Sequence, residues 1–187
     1  MLVESFRLVT ARLIPQIIRC KQALLLALLI LALCGLAGCG GSSAATESPQ
    51  WQTVRGTGFT FEAPTGWKLE RAKNRVTVTR GLQLVQISTF PLAKSYDDQL
   101  FAPVAKELRS RMEQIARQTG GKLTTGPPVR ADGVRSHAYD VTAGDRTDEY
   151  TFVLSGMREY LLLCRRMSSE SNGSEFCGRL VTSFARR

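Results

Sequence analysis

The chain is poor in the residues from which catalytic and metal sites are most often built. One histidine, His137, serves 187 residues, so a Ser-His-Asp triad has only one place to form. Ser136 and Asp140 lie close to it in sequence, but strand alternation puts Ser136 and His137 on opposite faces. There is no Gly-x-Ser-x-Gly elbow, and no phosphate-cradling loop or dinucleotide fingerprint. Asp132, Asp140, Asp145, Asp148 and Glu149 crowd one stretch of chain without the spacing of a calcium loop; solvated loop charge is the expected role. No catalytic residue, metal ligand or cofactor is expected.

Acidic residues are scarce as well. Sixteen Asp and Glu face 25 Lys and Arg, for a formal net charge of +9. Arg7, Arg12, Arg19 and Lys21 against Glu4 hold three of those charges, which leaves six for the remainder. A basic protein held at an anionic lipid surface gains attraction from each Lys or Arg near that surface.

Long apolar runs are absent apart from one, residues 23–33. That run is shorter than the ~20 residues needed to span a bilayer. It follows a basic stretch ending at Lys21 and closes on Leu36-Ala37-Gly38-Cys39. Basic, apolar and small-residue parts in this order make residues 1–38 a secretory signal rather than a retained helix. Leu-Ala-Gly-Cys looks like a lipobox, with cleavage between Gly38 and Cys39 and the Cys39 thiol accepting the diacylglyceryl group. The expected location is the extracytoplasmic side of the cell membrane, with membrane lipid engaged through Cys39. Export also argues against nucleic acid as the partner of the basic charge. Residues 39–50, rich in Gly, Ser and Ala, read as a flexible tether.

Of five cysteines, Cys20 and Cys34 lie in the signal and Cys39 is the lipid site. Cys164 and Cys177 remain, neither with metal-ligand partners at suitable spacing. An even pair in an exported domain forms a disulfide. The polar loop from Arg165 to Phe176 is able to reverse the chain, and Cys177 is expected in the first turn of a closing helix.

The folded part, residues 51–187, starts near Trp51. Short strands are predicted at Phe59–Phe61 and Trp67–Glu70, around a Pro64-Thr65-Gly66-Trp67 turn. Arg75–Arg80 alternates, with Val76 and Val78 inward. Leu82–Phe90 is more continuously apolar, as if buried on both faces, and Pro91 ends it. Residues 97–118 carry one long helical stripe through Leu100, Phe101, Val104, Leu108, Met112, Ile115 and Ala116, stopped by Gly120-Gly121. Gly126-Pro127-Pro128 is an irregular connection. Strands follow at Val134–Val141 and Arg146–Leu154, then at Arg158–Arg165 after a Ser155-Gly156 turn. Tyr160–Cys164 has no polar face and is placed centrally. Asn172-Gly173-Ser174 reads as a turn and helix N-cap before a closing helix over 174–185 that buries Phe176, Leu180, Val181 and Phe184. Strands, a long helix, strands and a helix make an α+β fold, an αβα sandwich on a mostly antiparallel sheet.

Phe59-Thr60-Phe61-Glu62-Ala63-Pro64-Thr65-Gly66-Trp67 resembles the opening of the PsbP-like superfamily. Tyr160-Leu161-Leu162-Leu163-Cys164, with Phe176-Cys177 and Ser183-Phe184, resembles its close. Bacterial lipoproteins of the LpqN type and envelope proteins of the DcrB type look similar. The resemblance implies the same sandwich. Plant members assist the oxygen-evolving centre, and no metal- or partner-binding residue is carried over from them.

Trp67 is expected to close a corner of the core, with ligand stacking as its alternative role. Arg109, Arg111 and Arg117 on the long helix, with Arg165, Arg166, Arg179, Arg186 and Arg187, are candidates for one basic face; a solvated helix surface is the plainer account. Trp67, Arg109 and Arg117 are thus the candidate contacts for a ligand or partner. The expected function is a membrane-anchored, non-catalytic binding or accessory module for a lipid, a small ligand or an envelope protein partner. The alternative is an envelope hydrolase whose site is assembled from ordinary residues.

Overall fold

A computed structural model describes residues 50–169 and 172–187. The secretory signal, the lipidation site Cys39 and nearly all of the tether lie outside the described residues, as do Glu170 and Ser171. Among the described residues no helix is long and apolar enough to cross a membrane.

Alternating apolar residues build the sheet. β3 (Lys68–Ala72), β4 (Arg75–Arg80) and β5 (Gln83–Tyr96) form an antiparallel meander. β5 pairs with β9 (Arg146–Met167), which pairs with β8 (Val134–Ala143). β6 (Lys122–Thr125) and β7 (Val129–Ala131) both pair with β8.

β9 folds back on itself. Arg165 binds Asp148 at 2.6 Å, and the Ser168 N–H donates to the Asp145 carbonyl at 2.7 Å. A straight strand would hold residues 148 and 165 ~56 Å apart. The reversal falls at Gly156, whose φ of +55° suits the first position of a type II′ hairpin turn, where a side chain would be strained. The Ser155-Gly156 turn read from the sequence is therefore present. The first limb pairs with β8 and the second with β5, which puts Tyr160–Cys164 in the centre of the sheet.

Each face of the sheet has its own core. On one face lie Val76, Val78, Val85, Ile87, Tyr160, Leu162 and Cys164. They are covered by a small sheet of β1 (Trp51–Gly56), β2 (Phe59–Pro64) and β10 (Ala185–Arg186), and by α2 (Gly173–Ser183). On the other face, α1 (Phe101–Thr119) buries Leu108, Met112 and Ala116 against Tyr139, Val141, Phe152 and Leu154. A 3-10 turn at Asp98–Leu100 leads into α1. Gly120 caps its end, with its N–H on the Ala116 and Arg117 carbonyls. The architecture is the α+β sandwich expected from the sequence.

Several expectations need correction. Pro91 does not end β5; the strand runs on to Tyr96 through a register shift after Pro91, and an irregularity in pairing is where a residue without an N–H is tolerated. Leu82 and Phe90 are exposed rather than buried on two faces. Leu100 sits in the 3-10 turn, partly exposed, ahead of the helical stripe. β1, β6, β7 and β10 were not expected at all. The acidic stretch is solvated turn charge only at Asp132 and Asp145; Asp140, Asp148 and Glu149 lie on strands, and Asp148 is buried and forked by Arg165.

Cys164 and Cys177 are disulfide-bonded, with Cα atoms 5.4 Å apart. Both are buried. Cys177 falls in the second turn of α2 rather than the first, because the helix begins at Gly173. The bond ties the central strand to the helix that covers it. Its loss is expected to lower the free energy of unfolding by about 3 kcal/mol, the loop-closure value for a loop of this size. Urea unfolding of the oxidised protein and of Cys164→Ser/Cys177→Ser measures this. Mass spectrometry of unreduced peptides should find the two cysteines linked.

Candidate functional site

α1 does not cover its whole face of the sheet. It packs on β8 and β6 and is held there by the Tyr139 hydroxyl, which donates to the Ala105 carbonyl at 3.1 Å. The corresponding face of β5 and of the second limb of β9 stays half open. Register sets its rows: Phe90 opposite Glu159, Ser88 opposite Leu161, Gln86 opposite Leu163, and Leu84 opposite Arg165. A groove results, with these rows as floor and α1 as one wall.

Two cavities lie end to end in it. One, of about 350 Å³, is lined by Phe90, Leu92, Arg111, Ile115, Tyr150 and Leu161, among others. The other, of about 510 Å³, is bounded by Leu82, Thr119, Arg146, Arg165 and Met167. A single turn of α1 separates Ile115 from Thr119, and only the Gln86–Leu163 row separates the floors. The polar floor residues satisfy one another: Thr77 donates to Gln86 at 3.2 Å, and Gln86 to Ser88 at 3.3 Å. The floor therefore asks little hydrogen bonding of an occupant, while its leucines offer apolar contact. The first cavity, with largely apolar walls and a few polar groups, has the size and character of a ligand pocket; the second is lined mainly by polar and charged residues.

Charge is confined to the ends and is paired there. Glu159 is buried, and burial pushes its carboxyl above the usual range, while Arg111 at 3.6 Å pulls the other way. At the far end Arg165 grips Asp148 through two bonds, of 2.6 and 3.1 Å, and Arg146 stands 3.5 Å from the same carboxylate. Burial likewise raises the Tyr150 phenol, and Asp148 adds to the shift.

The candidate catalytic residues do not converge. His137 is buried and stacked on Phe101 at 3.9 Å. Its Nε2 has no hydrogen-bond partner among the described residues. Burial, and then Arg135, lowers its pKa. Ser136 and Asp140 occupy the opposite face of β8, and the Ser136 hydroxyl turns back to the Val134 carbonyl at 3.1 Å. Asp140 instead faces Glu149 across the strands; burial first, and that neighbour second, raise its pKa.

Nor do the arginines make one basic face. Arg109 pairs with Glu113, Arg111 with Glu159, Arg165 with Asp148, Arg166 with Glu149, Arg179 with Glu62 and Arg186 with Asp132. Alternation sends Arg165 and Arg166 to opposite sides of the sheet. Arg109 and Arg117 are exposed on α1, away from the cavity that Arg111 lines. Trp67 is 7% exposed, edge-on to Phe176 at 5.2 Å, with the Arg80 guanidinium 5.3 Å from its ring. It closes a corner of the core and stands outside the groove. Glu159 escaped the sequence reading, and Arg111 entered it only as part of a basic face. The available signal was a lone acid immediately before the apolar run Tyr160–Cys164.

No family model and no curated protein matches the chain. Among solved structures, the solution structure of cyanobacterial PsbP (CyanoP) from Synechocystis sp. PCC 6803 is similar, with a TM-score of 0.54 and 14% identity over 81% of this chain and 99% of that one. A crystal structure from Bacteroides thetaiotaomicron VPI-5482 aligns at a TM-score of 0.46 and 13% identity, over 69% of this chain. The chain spans 45% of the length of that second protein. The likeness to cyanobacterial PsbP shows a PsbP-like fold.

His137 leaves a testable trace. Its folded pKa is depressed, so the unfolded chain binds the proton first as pH falls. Stability present above about pH 6.5 is expected to decline below it. Because His137 is the only histidine, that decline should be absent from His137→Leu, as read by denaturant midpoints between pH 7.5 and 5.

Proposed function

We propose that the chain is an envelope lipoprotein, anchored through Cys39 on the extracytoplasmic side of the membrane, whose folded part is a non-catalytic binding module. The groove between α1 and the β5–β9 floor is its binding site, for a lipid, a small ligand or a segment of an envelope protein. The observation that carries the reading is the character of that groove. Its floor sets Phe90 and three leucines beside polar groups, the uncharged polar floor groups are bonded to each other, and its ionised groups are paired with one another rather than aimed at a common point. A hydrolase would need His137 within reach of an acid and a nucleophile. His137 is instead sealed beneath Phe101, with Ser136 and Asp140 on the other side of the strand. The disulfide suits an oxidising compartment.

Anchoring is tested at Cys39. The wild-type protein is expected to incorporate a labelled fatty acid, and Cys39→Ala to remain an unlipidated precursor; label retained by the variant overturns the assignment.

The groove is tested by Nile red, an uncharged apolar fluorescent probe. Leu161→Arg sets a charge on the floor while leaving the core beneath α2 untouched. The native protein is expected to bind the probe, and the variant to bind it at least about tenfold more weakly with little change in unfolding midpoint. Equal binding by the two proteins would move the site elsewhere.

A further inference from the structure

We propose that the end of the domain bearing Leu82 faces the bilayer, with the Leu82 side chain set among the lipid head groups. The inference rests on the Cys39 anchor proposed above and adds an orientation that anchoring alone does not supply.

β4 and β5 are joined by a two-residue turn, Gly81-Leu82, since Arg80 pairs directly with Gln83. Gly81, at φ +58°, supplies the left-handed position of the turn. The second position places no demand for an apolar side chain and is commonly Asn, Ser or Thr. Leu82 is nonetheless there, 71% exposed, more than any other large hydrophobic residue described. Single exposed apolar residues are ordinary on protein surfaces, and Met157, at 53%, crowns the Gly156-Met157 turn in the same way. Composition does not choose between these two tips. Position does.

The described chain begins at Gln50, and Gln50 lies at the Leu82 end. The Thr65 N–H donates to the Gln50 carbonyl at 2.8 Å. Two residues further on, the Trp67 ring lies 5.3 Å from the guanidinium of Arg80, which flanks the turn. The Met157 tip is at the other end. Leu84 stands opposite Arg165 and Tyr96 opposite Gly156, so the second limb of β9 separates the tips by ~30 Å. From Cys39 to Gln50 a Gly/Ser-rich tether has an r.m.s. span of ~18 Å and a limit of ~38 Å. At its r.m.s. span the tether is shorter than the ~30 Å between the tips, which favours the Gln50 end as the one nearer the lipid. Leu82 then meets the head-group layer, and the exposed Arg80 beside it, bonded to Gln83 through one guanidinium nitrogen at 3.2 Å, has its other donors to offer lipid phosphates.

The test uses the mature, lipidated protein in vesicles of phosphatidylethanolamine and phosphatidylglycerol that carry a shallow nitroxide lipid. Leu82→Cys and Met157→Cys are each labelled with an environment-sensitive fluorophore. The introduced thiol reacts alone, because Cys164 and Cys177 are bonded to each other and Cys39 carries lipid. Both sites are exposed turn tips, and unchanged unfolding midpoints confirm that both variants fold. The probe at position 82 is expected to lose most of its fluorescence to the nitroxide, and the probe at 157 to keep it. Equal quenching at both sites, or quenching at 157 alone, overturns the orientation while leaving the anchor intact. Protein that carries no labelled fatty acid and does not float with the vesicles overturns the anchor, and the orientation with it.

Discussion

The central place of one strand, buried on one face and partly covered on the other, governs the rest of the domain. The second limb of β9 sends Tyr160, Leu162 and Cys164 to one side and Glu159, Leu161 and Leu163 to the other. Each side must be shielded from water, at roughly 25 cal/mol for every Å² of apolar surface covered. The two sides are closed by different means. On one, α2 and the small sheet fill the space around Phe59, Phe61, Phe176 and Phe184, and a covalent bond holds the helix down. On the other, a single helix is pinned over β8 and leaves the neighbouring strands half open. The groove is thus a consequence of covering a wide sheet with one rod.

That asymmetry explains how much of the molecule was legible in its sequence. Strict alternation at Val76 and Val78, the helical stripe through Leu108, Met112 and Ala116, and the unbroken apolar run at Tyr160–Cys164 each report burial, and each was placed correctly. Missed strands are short or at an edge. β10 has two residues and β7 three, too few to establish a period. Asp132-Gly133 is a strong hairpin signal, and it does join β7 to β8 with both residues at positive φ; the three residues of β7 after Pro128 are too few to show the alternation that would go with it. The groove was harder to foresee. Arg111 comes from α1 and Tyr150 and Glu159 from the two limbs of β9, and only the off-centre seat of α1 brings them together.

The arginines teach a related lesson about charge. A surplus of basic residues suggested a single attractive face, yet most of the named arginines are spent on carboxylates within the domain. Asp148 and Glu149 are adjacent in sequence and face opposite sides of the sheet, each met by the arginine seventeen residues further on. Hydrogen-bonded pairs of this kind fix register across the β9 hairpin more than they stabilise the fold, since exposed ion pairs contribute little and buried ones must first be desolvated. Net charge therefore describes the whole chain poorly as a guide to where an acidic surface would bind.

The position of α2 and β10 in the chain bears on the order in which the domain can be assembled. Phe176, Leu180 and Phe184 complete the core on one face of the sheet, and Arg186 fastens β10 through its bonds to Asp132. All of these covering residues follow in the chain the strands they close over. A chain delivered from its N-terminus, by a ribosome or through a membrane, has β2 and the central strand in hand while the aromatic residues that cover them are still to come. Over that interval Phe59, Phe61, Tyr160 and Leu162 lack their closing layer, and Cys164 is a free thiol awaiting Cys177. Closure of that face therefore waits on a later stretch of chain than the strands it covers.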